Sequence, residues 1–178
     1  MFRTGSIRRL RRALCVSLPT LLGAMLLAGP AAADGWTYES FLGIGTGLEG
    51  GDGGDGSLAW QRARFRLSGG VDFRSEEMPR DGFGVRGIVE IERRATLGAE
   101  LRYSRWLGRG FGAFAGLSGT LAPETLFGGT AGVTALIPLG RAGLYIEPSF
   151  SAMPLGSDLP DDSVLLWGLL TVGVNVRL

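Results

Sequence analysis

The chain has 178 residues, of which 45% are hydrophobic and 31 are glycine, and its formal net charge is +1. It contains no histidine and no lysine, and its single cysteine is Cys15. The lack of histidine excludes Ser-His-Asp and Cys-His nucleophile activation, and with one cysteine the usual zinc sites are excluded as well.

The N-terminus has the pattern of a secretory signal peptide over residues 1–33. Five arginines precede an apolar run from Leu14 to Leu27, and Ala31-Ala32-Ala33 provides a small-residue cleavage site. Removal of this segment leaves residues 34–178 as one domain without a thiol. That domain holds 13 arginines against 17 acidic residues, a net charge of −4. This balance argues against a nucleic-acid partner.

Eight segments of the remaining chain alternate between apolar and polar residues, which is the period of a β-strand. They cover, in chain order, residues 36–47, 59–73, 83–92, 96–104, 111–120, 127–137, 144–151 and 164–178. No stretch of residues 34–178 reaches the ~18 apolar residues of a membrane helix. Eight strands of ~10 residues would cross a bilayer only as a closed barrel.

One face of most segments carries charged side chains opposite an apolar face. The charged set is Glu39, Arg62, Arg64, Arg66, Asp72, Arg86, Glu90, Glu92, Glu100, Arg102, Glu147 and Arg177. A soluble sheet-on-sheet core does not accept twelve charges, because each desolvated ion costs several kcal/mol unless it is paired. We therefore predict an all-β, eight-stranded antiparallel up-and-down transmembrane barrel with lipid outside and these charges in its lumen.

The interior of an eight-stranded barrel is just wide enough for side chains to fill it. Arginine forks can bridge carboxylates on neighbouring strands, so the sequence predicts a paired polar plug. The alternative is a narrow path lined by Arg62, Arg64 and Arg66, which would make the protein a small pore or transporter for polar solutes.

This architecture resembles the small eight-stranded outer-membrane barrels, such as the OmpA transmembrane domain and OmpX. The resemblance implies a non-enzymatic protein of the outer membrane, in contact with its lipid, that serves envelope structure or surface interaction without a cofactor. It also implies that the C-terminal strand is the signal read by the barrel-assembly machinery. That signal usually ends in an aromatic residue, whereas this chain ends in Leu178.

The connections carry weaker signals. Surface loops are predicted at Gly47–Leu58 and Gly156–Ser163, and a long charged connection at Arg74–Gly82. Within the first loop, Gly50 to Asp55 resembles one turn of a calcium-binding Gly/Asp repeat, but such repeats act in stacked copies and a plain acidic loop is the simpler interpretation.

Two tryptophans and one further fold remain to be weighed. Trp106 and Trp167 fall on the inner face by alternation, and the alternative is that a β-bulge shifts them outward to the membrane interfaces. Alternation alone does not separate inside from outside, so a soluble β-sandwich or lipocalin-like binder stays open, with a cavity lined by Phe65, Phe111, Phe127 and Phe150.

A hydrolase using two carboxylates, for example Glu90 and Glu100, is formally possible, but no catalytic or metal site is predicted.

Overall fold

The computed structural model describes residues 35–52, 58–91, 95–122, 124–157, 159 and 163–177. The predicted signal peptide over residues 1–33 lies outside this part of the chain, as do Glu92, Leu178 and residues 53–57 of the Gly/Asp segment. Arg62 is described by its backbone alone.

The described residues form eight strands that pair in chain order into a closed antiparallel barrel, which confirms the predicted fold class. The strands are β1 (Trp36–Asp52), β2 (Leu58–Ser75), β3 (Asp81–Ile91), β4 (Ala95–Trp106), β5 (Phe111–Ala122), β6 (Leu126–Leu139), β7 (Ala142–Gly156) and β8 (Val164–Arg177). Among these residues, no helix has the length and hydropathy needed to span a bilayer.

The barrel has two ends of different construction. At the proximal end β1 begins, β8 ends, and the connections are residues 76–80, 107–110 and 140–141. The last of these is a two-residue turn that uses the positive φ of Gly140, 73°. At the distal end β1, β3, β5 and β7 end and β2, β4, β6 and β8 begin.

Two predicted connections are shorter than expected because the flanking strands are longer. The predicted loop Gly47–Leu58 is wrong in its first half, since β1 continues to Asp52 and pairs there with both β2 and β8. Likewise β2 runs to Ser75 and β3 starts at Asp81, which leaves five residues rather than the predicted Arg74–Gly82.

The strands are strongly staggered. Followed around the barrel, the register leaves β1 at Glu39 and returns to it at Glu49, ten residues further on. Such a stagger over eight strands corresponds to a tilt of about 41° from the barrel axis. Each residue then advances about 2.5 Å along the axis, so strands of 11–12 residues, such as β3 and β4, reach about 28–30 Å. That height matches the hydrocarbon layer of a bilayer.

The outer face of the barrel is apolar. Large hydrophobic side chains such as Leu101, Leu117 and Ile137 are more than half exposed. Among the described outward positions of the strands, the charged ones are Asp81 and Arg105, both at the proximal end. Four outward aromatic side chains form one register row near the same end: Tyr38, Phe73, Phe83 and Tyr103.

The lipocalin-like alternative is wrong in its placement of the phenylalanines. Phe65, Phe111, Phe127 and Phe150 are 41–48% exposed and lie on the outer face. The inner face instead buries charged and polar side chains, with glycines where strands approach each other closely.

Candidate functional site

The candidate site is the lumen, where the inward faces of all eight strands converge. Nine of the residues singled out by sequence are buried there: Glu39, Arg64, Arg66, Asp72, Arg86, Glu90, Glu100, Arg102 and Glu147. The structure sorts these residues and their partners into three clusters along the barrel axis.

The distal cluster is built on Glu90 of β3 and Glu49 of β1. Arg66 donates to Glu90 Oε1 from Nε at 2.9 Å and from Nη2 at 2.6 Å. Arg64 Nη2 lies 2.9 Å from the other Glu90 oxygen, and Arg64 Nη1 pairs with Glu49. Trp167 Nε1 of β8 also donates to Glu49, at 2.9 Å. Two arginines of one strand therefore join carboxylates on the strands either side of it.

The central cluster is organised by Arg102 of β4. Its guanidinium makes a bidentate pair with Glu147 of β7, at 2.8 and 3.0 Å, and its Nε donates to Glu100 at 2.7 Å. Thr134 donates to the same Glu147 at 2.9 Å. Bidentate forks of this kind combine charge with strict geometry, so Arg102 connects strands that are not neighbours across the lumen.

Arg86 completes the central cluster but is held more loosely. Its guanidinium nitrogens lie 3.6 Å from Asp72 and 3.7 Å from Glu147, distances longer than a hydrogen bond. Arg86 Nε, Asp72 Oδ1 and the Tyr145 hydroxyl have no hydrogen-bond partner among the described residues. Arg86 is therefore neutralised by charge proximity rather than by hydrogen bonding, unlike Arg102 beside it.

The proximal cluster surrounds Glu39 of β1. Arg74 donates to Glu39 Oε2 at 2.6 Å, and Arg177 donates to Oε1 at 3.0 and 3.2 Å. Asn175 Nδ2 adds a long contact of 3.4 Å. Arg177 was expected in the lumen, but its side chain is 64% exposed, which places it at the mouth. It still neutralises a buried carboxylate from there.

Five of the network's arginines also lie over aromatic rings. Arg64 and Arg66 lie 4.2 and 5.3 Å from the Trp167 ring centroid. The remaining stacked pairs are Arg74 with Trp106 at 4.5 Å, Arg86 with Phe41 at 4.3 Å, and Arg102 with Phe114 at 3.9 Å. A guanidinium can give its edge to a carboxylate and its face to a ring at once.

This stacking accounts for the inward position of the two tryptophans, which alternation had predicted, and the bulge alternative is wrong. Trp106 and Trp167 are buried on the inner face, and the register shifts at Glu49/Gly50, Leu97/Gly98 and Phe127/Gly129 do not turn them outward. Inside the barrel both rings cover an arginine, and Trp167 also donates to Glu49. The lumen offers them partners that the membrane interface does not.

An apolar cluster lies at the distal side of the lumen. Leu126, Met153, Trp167 and Leu169 are buried against one another, and Leu159 and Leu165 pack on them. Trp167 belongs both to this apolar cluster and, through its hydrogen bond to Glu49, to the distal charged cluster, so it connects the two. The alternation of β8 already shows the change from Leu165, Trp167 and Leu169 to polar residues further along.

Sequence reasoning missed two charged members of the network, Glu49 and Arg74. Both continue the inward parity of their strands, Glu49 at ten residues from Glu39 and Arg74 at two from Asp72. They were assigned to connections because Gly50 to Asp55 and Arg74 to Gly82 have turn-like composition. Of the remaining predicted members, Arg62 pairs with Glu49 through the backbone register, and its side chain and Glu92 lie outside the described residues.

The positions of Glu90 and Glu100 also bear on the hypothesis of a hydrolase that uses these two carboxylates. Glu90 is held by Arg64 and Arg66 in the distal cluster, whereas Glu100 is held by Arg102 in the central one. The two carboxylates are thus engaged in separate clusters rather than facing one substrate position. Within the described part of the chain, no group of three or more acidic side chains is disposed to hold a metal ion.

Comparisons with known proteins give distant structural likenesses. No family model matches the chain, and no curated protein does. Among solved structures, Neisserial surface protein A is 12% identical, with a TM-score of 0.48, and the match covers 82% of this chain and 100% of that one. Ail, the attachment invasion locus protein of Yersinia pestis, crystallised with the heparin analogue sucrose octasulfate, is 15% identical with a TM-score of 0.46 over 79% and 99% of the two chains.

A structure described as a de novo design of transmembrane β-barrels gives 10% identity and a TM-score of 0.47, over 80% of this chain and 95% of that one. At these identities and TM-scores the likenesses do not establish a function. The barrel itself rests on the strand pairing of this chain.

Proposed function

We propose that this chain spans the bacterial outer membrane as a non-enzymatic barrel with a plugged lumen, and serves envelope structure or surface interaction through its distal end. The observation that carries the proposal is the inversion of its two faces. Buried side chains are largely charged or polar, and large apolar side chains are exposed around the barrel. In water this arrangement would expose a continuous apolar surface, whereas in lipid it satisfies both faces.

The aromatic row supports a membrane position. Tyr38 packs edge-on against Phe73 with centroids 5.5 Å apart, and Phe83 lies at the same distance from Tyr103. Girdles of aromatic side chains flank the apolar band of outer-membrane barrels at the water interfaces. The charged outward residues Asp81 and Arg105 lie near this row, where a headgroup region would accept them.

The plugged state is supported by charge balance. The three clusters contain six carboxylates, Glu39, Glu49, Asp72, Glu90, Glu100 and Glu147. The carboxylates are paired with six arginines, Arg64, Arg66, Arg74, Arg86, Arg102 and Arg177. A buried charge is tolerated when paired, so a matched lumen needs no bulk water to be stable.

The test is fractionation of cells that express the protein, followed by gels of heated and unheated samples in mild detergent. A folded transmembrane barrel is expected in the outer-membrane fraction and should migrate faster unheated than boiled. Recovery in the soluble periplasmic fraction without a mobility shift would contradict the proposal. Recognition of β8 by the barrel-assembly machinery and contact with outer-membrane lipid stay predictions that the same fractionation examines.

A small pore for polar solutes is the second candidate, and the loose setting of Arg86 favours it. Because its two ion pairs are longer than hydrogen bonds, the central cluster is the part of the lumen best able to rearrange. Planar-bilayer recording separates the two candidates. An open path should give discrete conductance whose ion preference inverts in Arg64→Glu, whereas a silent bilayer rejects the pore.

A further inference from the structure

A basic pocket of about 380 Å³ opens at the proximal end of the barrel. It borders the proximal cluster, where β2, β4, β6 and β8 meet the connections 76–80 and 107–110. Four arginines line it together with apolar residues and one glycine: Arg74, Arg80, Arg109 and Arg177, with Pro79, Trp106, Gly108 and Leu136.

The charge of the residues that line this pocket is not balanced. Arg74 and Arg177 share the single carboxylate Glu39. Arg80 and Arg109 form no ion pair with any residue that the structure describes. Four guanidinium groups thus face one already engaged carboxylate, and a concave site of one sign concentrates ions of the opposite sign.

The pocket is firmly built at its base. The backbone N–H of Trp106 donates to the carbonyl of Arg80 at 2.7 Å, which ties the 76–80 connection to the end of β4. Arg74 lies 4.5 Å over the Trp106 ring. Leu136 N–H donates to the carbonyl of Gly110 at 2.7 Å, which ties the 107–110 connection to β6. The arginines therefore extend from a fixed frame.

The chemistry of the lining selects the class of ligand. Every polar side chain in it is a hydrogen-bond donor, and none is an acceptor. Two further N–H groups at its base, Arg74 Nε and Trp106 Nε1, have no hydrogen-bond partner among the described residues. Guanidinium forks match the oxygen spacing of phosphate, while the apolar part of the wall, Trp106 and Leu136, suits a small organic stem.

We propose that this proximal pocket binds a phosphate monoester group. The group would be carried on a soluble molecule or on a lipid headgroup, and the donors are Arg80, Arg109 and Arg177. The pocket shares Arg74 and Arg177 with the proximal cluster, whereas Arg80 and Arg109 belong to the pocket alone.

The test uses the protein folded in dodecylmaltoside micelles with ¹⁵N-labelled tryptophan. The indole resonance of Trp106, assigned by its loss in Trp106→Phe, is followed during titration with inorganic phosphate at constant ionic strength. A second titration uses micelles containing dioleoylphosphatidate. A saturable shift with inorganic phosphate supports a soluble ligand, and one with phosphatidate alone supports a headgroup. Absence of a saturable shift in both would overturn the proposal.

Matched variants decide whether the pocket itself is responsible. Arg80→Gln and Arg109→Gln should each weaken binding by about tenfold or more, because each removes a charged donor. Arg141→Gln removes the same charge at the same end of the barrel but outside the pocket, so its effect should stay within about twofold. Equal weakening by all three would show diffuse attraction rather than a site. The unheated gel band verifies that each variant is folded. Because binding is measured on purified protein in micelles, the result does not depend on where the protein lies in the cell or on its proposed role there.

Discussion

The lumen network makes a quantitative prediction about Arg102→Met. Arg102 is the described partner of Glu100, and it also forms the bidentate pair with Glu147. Methionine keeps much of the side-chain volume but leaves two carboxylates, each buried, with less positive charge than they need. Breaking a buried pair by removing one partner costs about 3–5 kcal/mol, so we expect a loss of unfolding free energy in that range.

The substitution of the partner, Glu100→Gln, should lower the free energy of unfolding by less. Arg102 keeps its two hydrogen bonds to Glu147 in that variant, and no charge is left unpaired. Only the bonds between Arg102 and Glu100 weaken, worth about 1.5–3 kcal/mol. The double variant Arg102→Met with Glu100→Gln should then be more stable than Arg102→Met alone, because one of the stranded charges has gone.

The assay is urea unfolding of the barrel in lipid vesicles, measured from the folded fraction on unheated gels. Arg105→Met is the matched control: Arg105 lies on the same strand with its side chain 62% exposed, and its loss should change stability by less than about 0.5 kcal/mol. A value for Arg102→Met as small as that of the control would refute the reasoning. It would mean that water in the lumen solvates Glu100 and Glu147.

Two further predictions concern packing in the lumen. A Cβ on Gly43 would lie 2.2 Å from the Tyr145 hydroxyl and 2.9 Å from Thr171, so Gly43→Ala should lower stability by about 1–3 kcal/mol. Gly87→Ala, with its nearest atom at 3.7 Å, should be neutral or slightly stabilising, and the same urea series measures both. Trp167→Phe keeps a ring beneath Arg64 but loses the hydrogen bond to Glu49, which should cost about 1–3 kcal/mol; an unchanged unfolding midpoint would show that this bond contributes nothing.

Alternation in the sequence was sufficient to predict the strands, their number and the closed antiparallel barrel. It works because each side chain needs only its own position in the strand to be assigned to a face. Pairing across the lumen is different: Arg102 and Glu147 lie on β4 and β7, and their contact depends on the stagger of the whole barrel. That stagger is a property of all eight registers together, so no local pattern contains it.

Strand ends were predicted less well for a related reason. Glycine and acidic residues after Gly47 have turn-like composition, yet Glu49 lies within β1 because Trp167 and Arg64 supply its partners. An outward shift of the tryptophans stayed open for the same lack of information, since their preference for the lumen depends on arginines from other strands. Such residues follow local propensity only where tertiary contacts do not override it.

The contacts of β1 with β8 also set the order in which the barrel can assemble. Glu39 binds Arg177 across 138 positions of chain, and Glu49 binds Trp167 across 118. Neither carboxylate meets its β8 partner until the first and last strands join, whereas their β2 partners are available from the first hairpin onward. Closure of the seam therefore adds the β1–β8 contacts in a single late step, whereas ion pairs between adjacent strands, such as Arg66 with Glu90, can form as each hairpin is added. A barrel built this way should fold as one cooperative unit. Open intermediates should be short-lived, because Glu39 and Glu49 on their free β1 edge still lack their hydrogen-bond partners from β8.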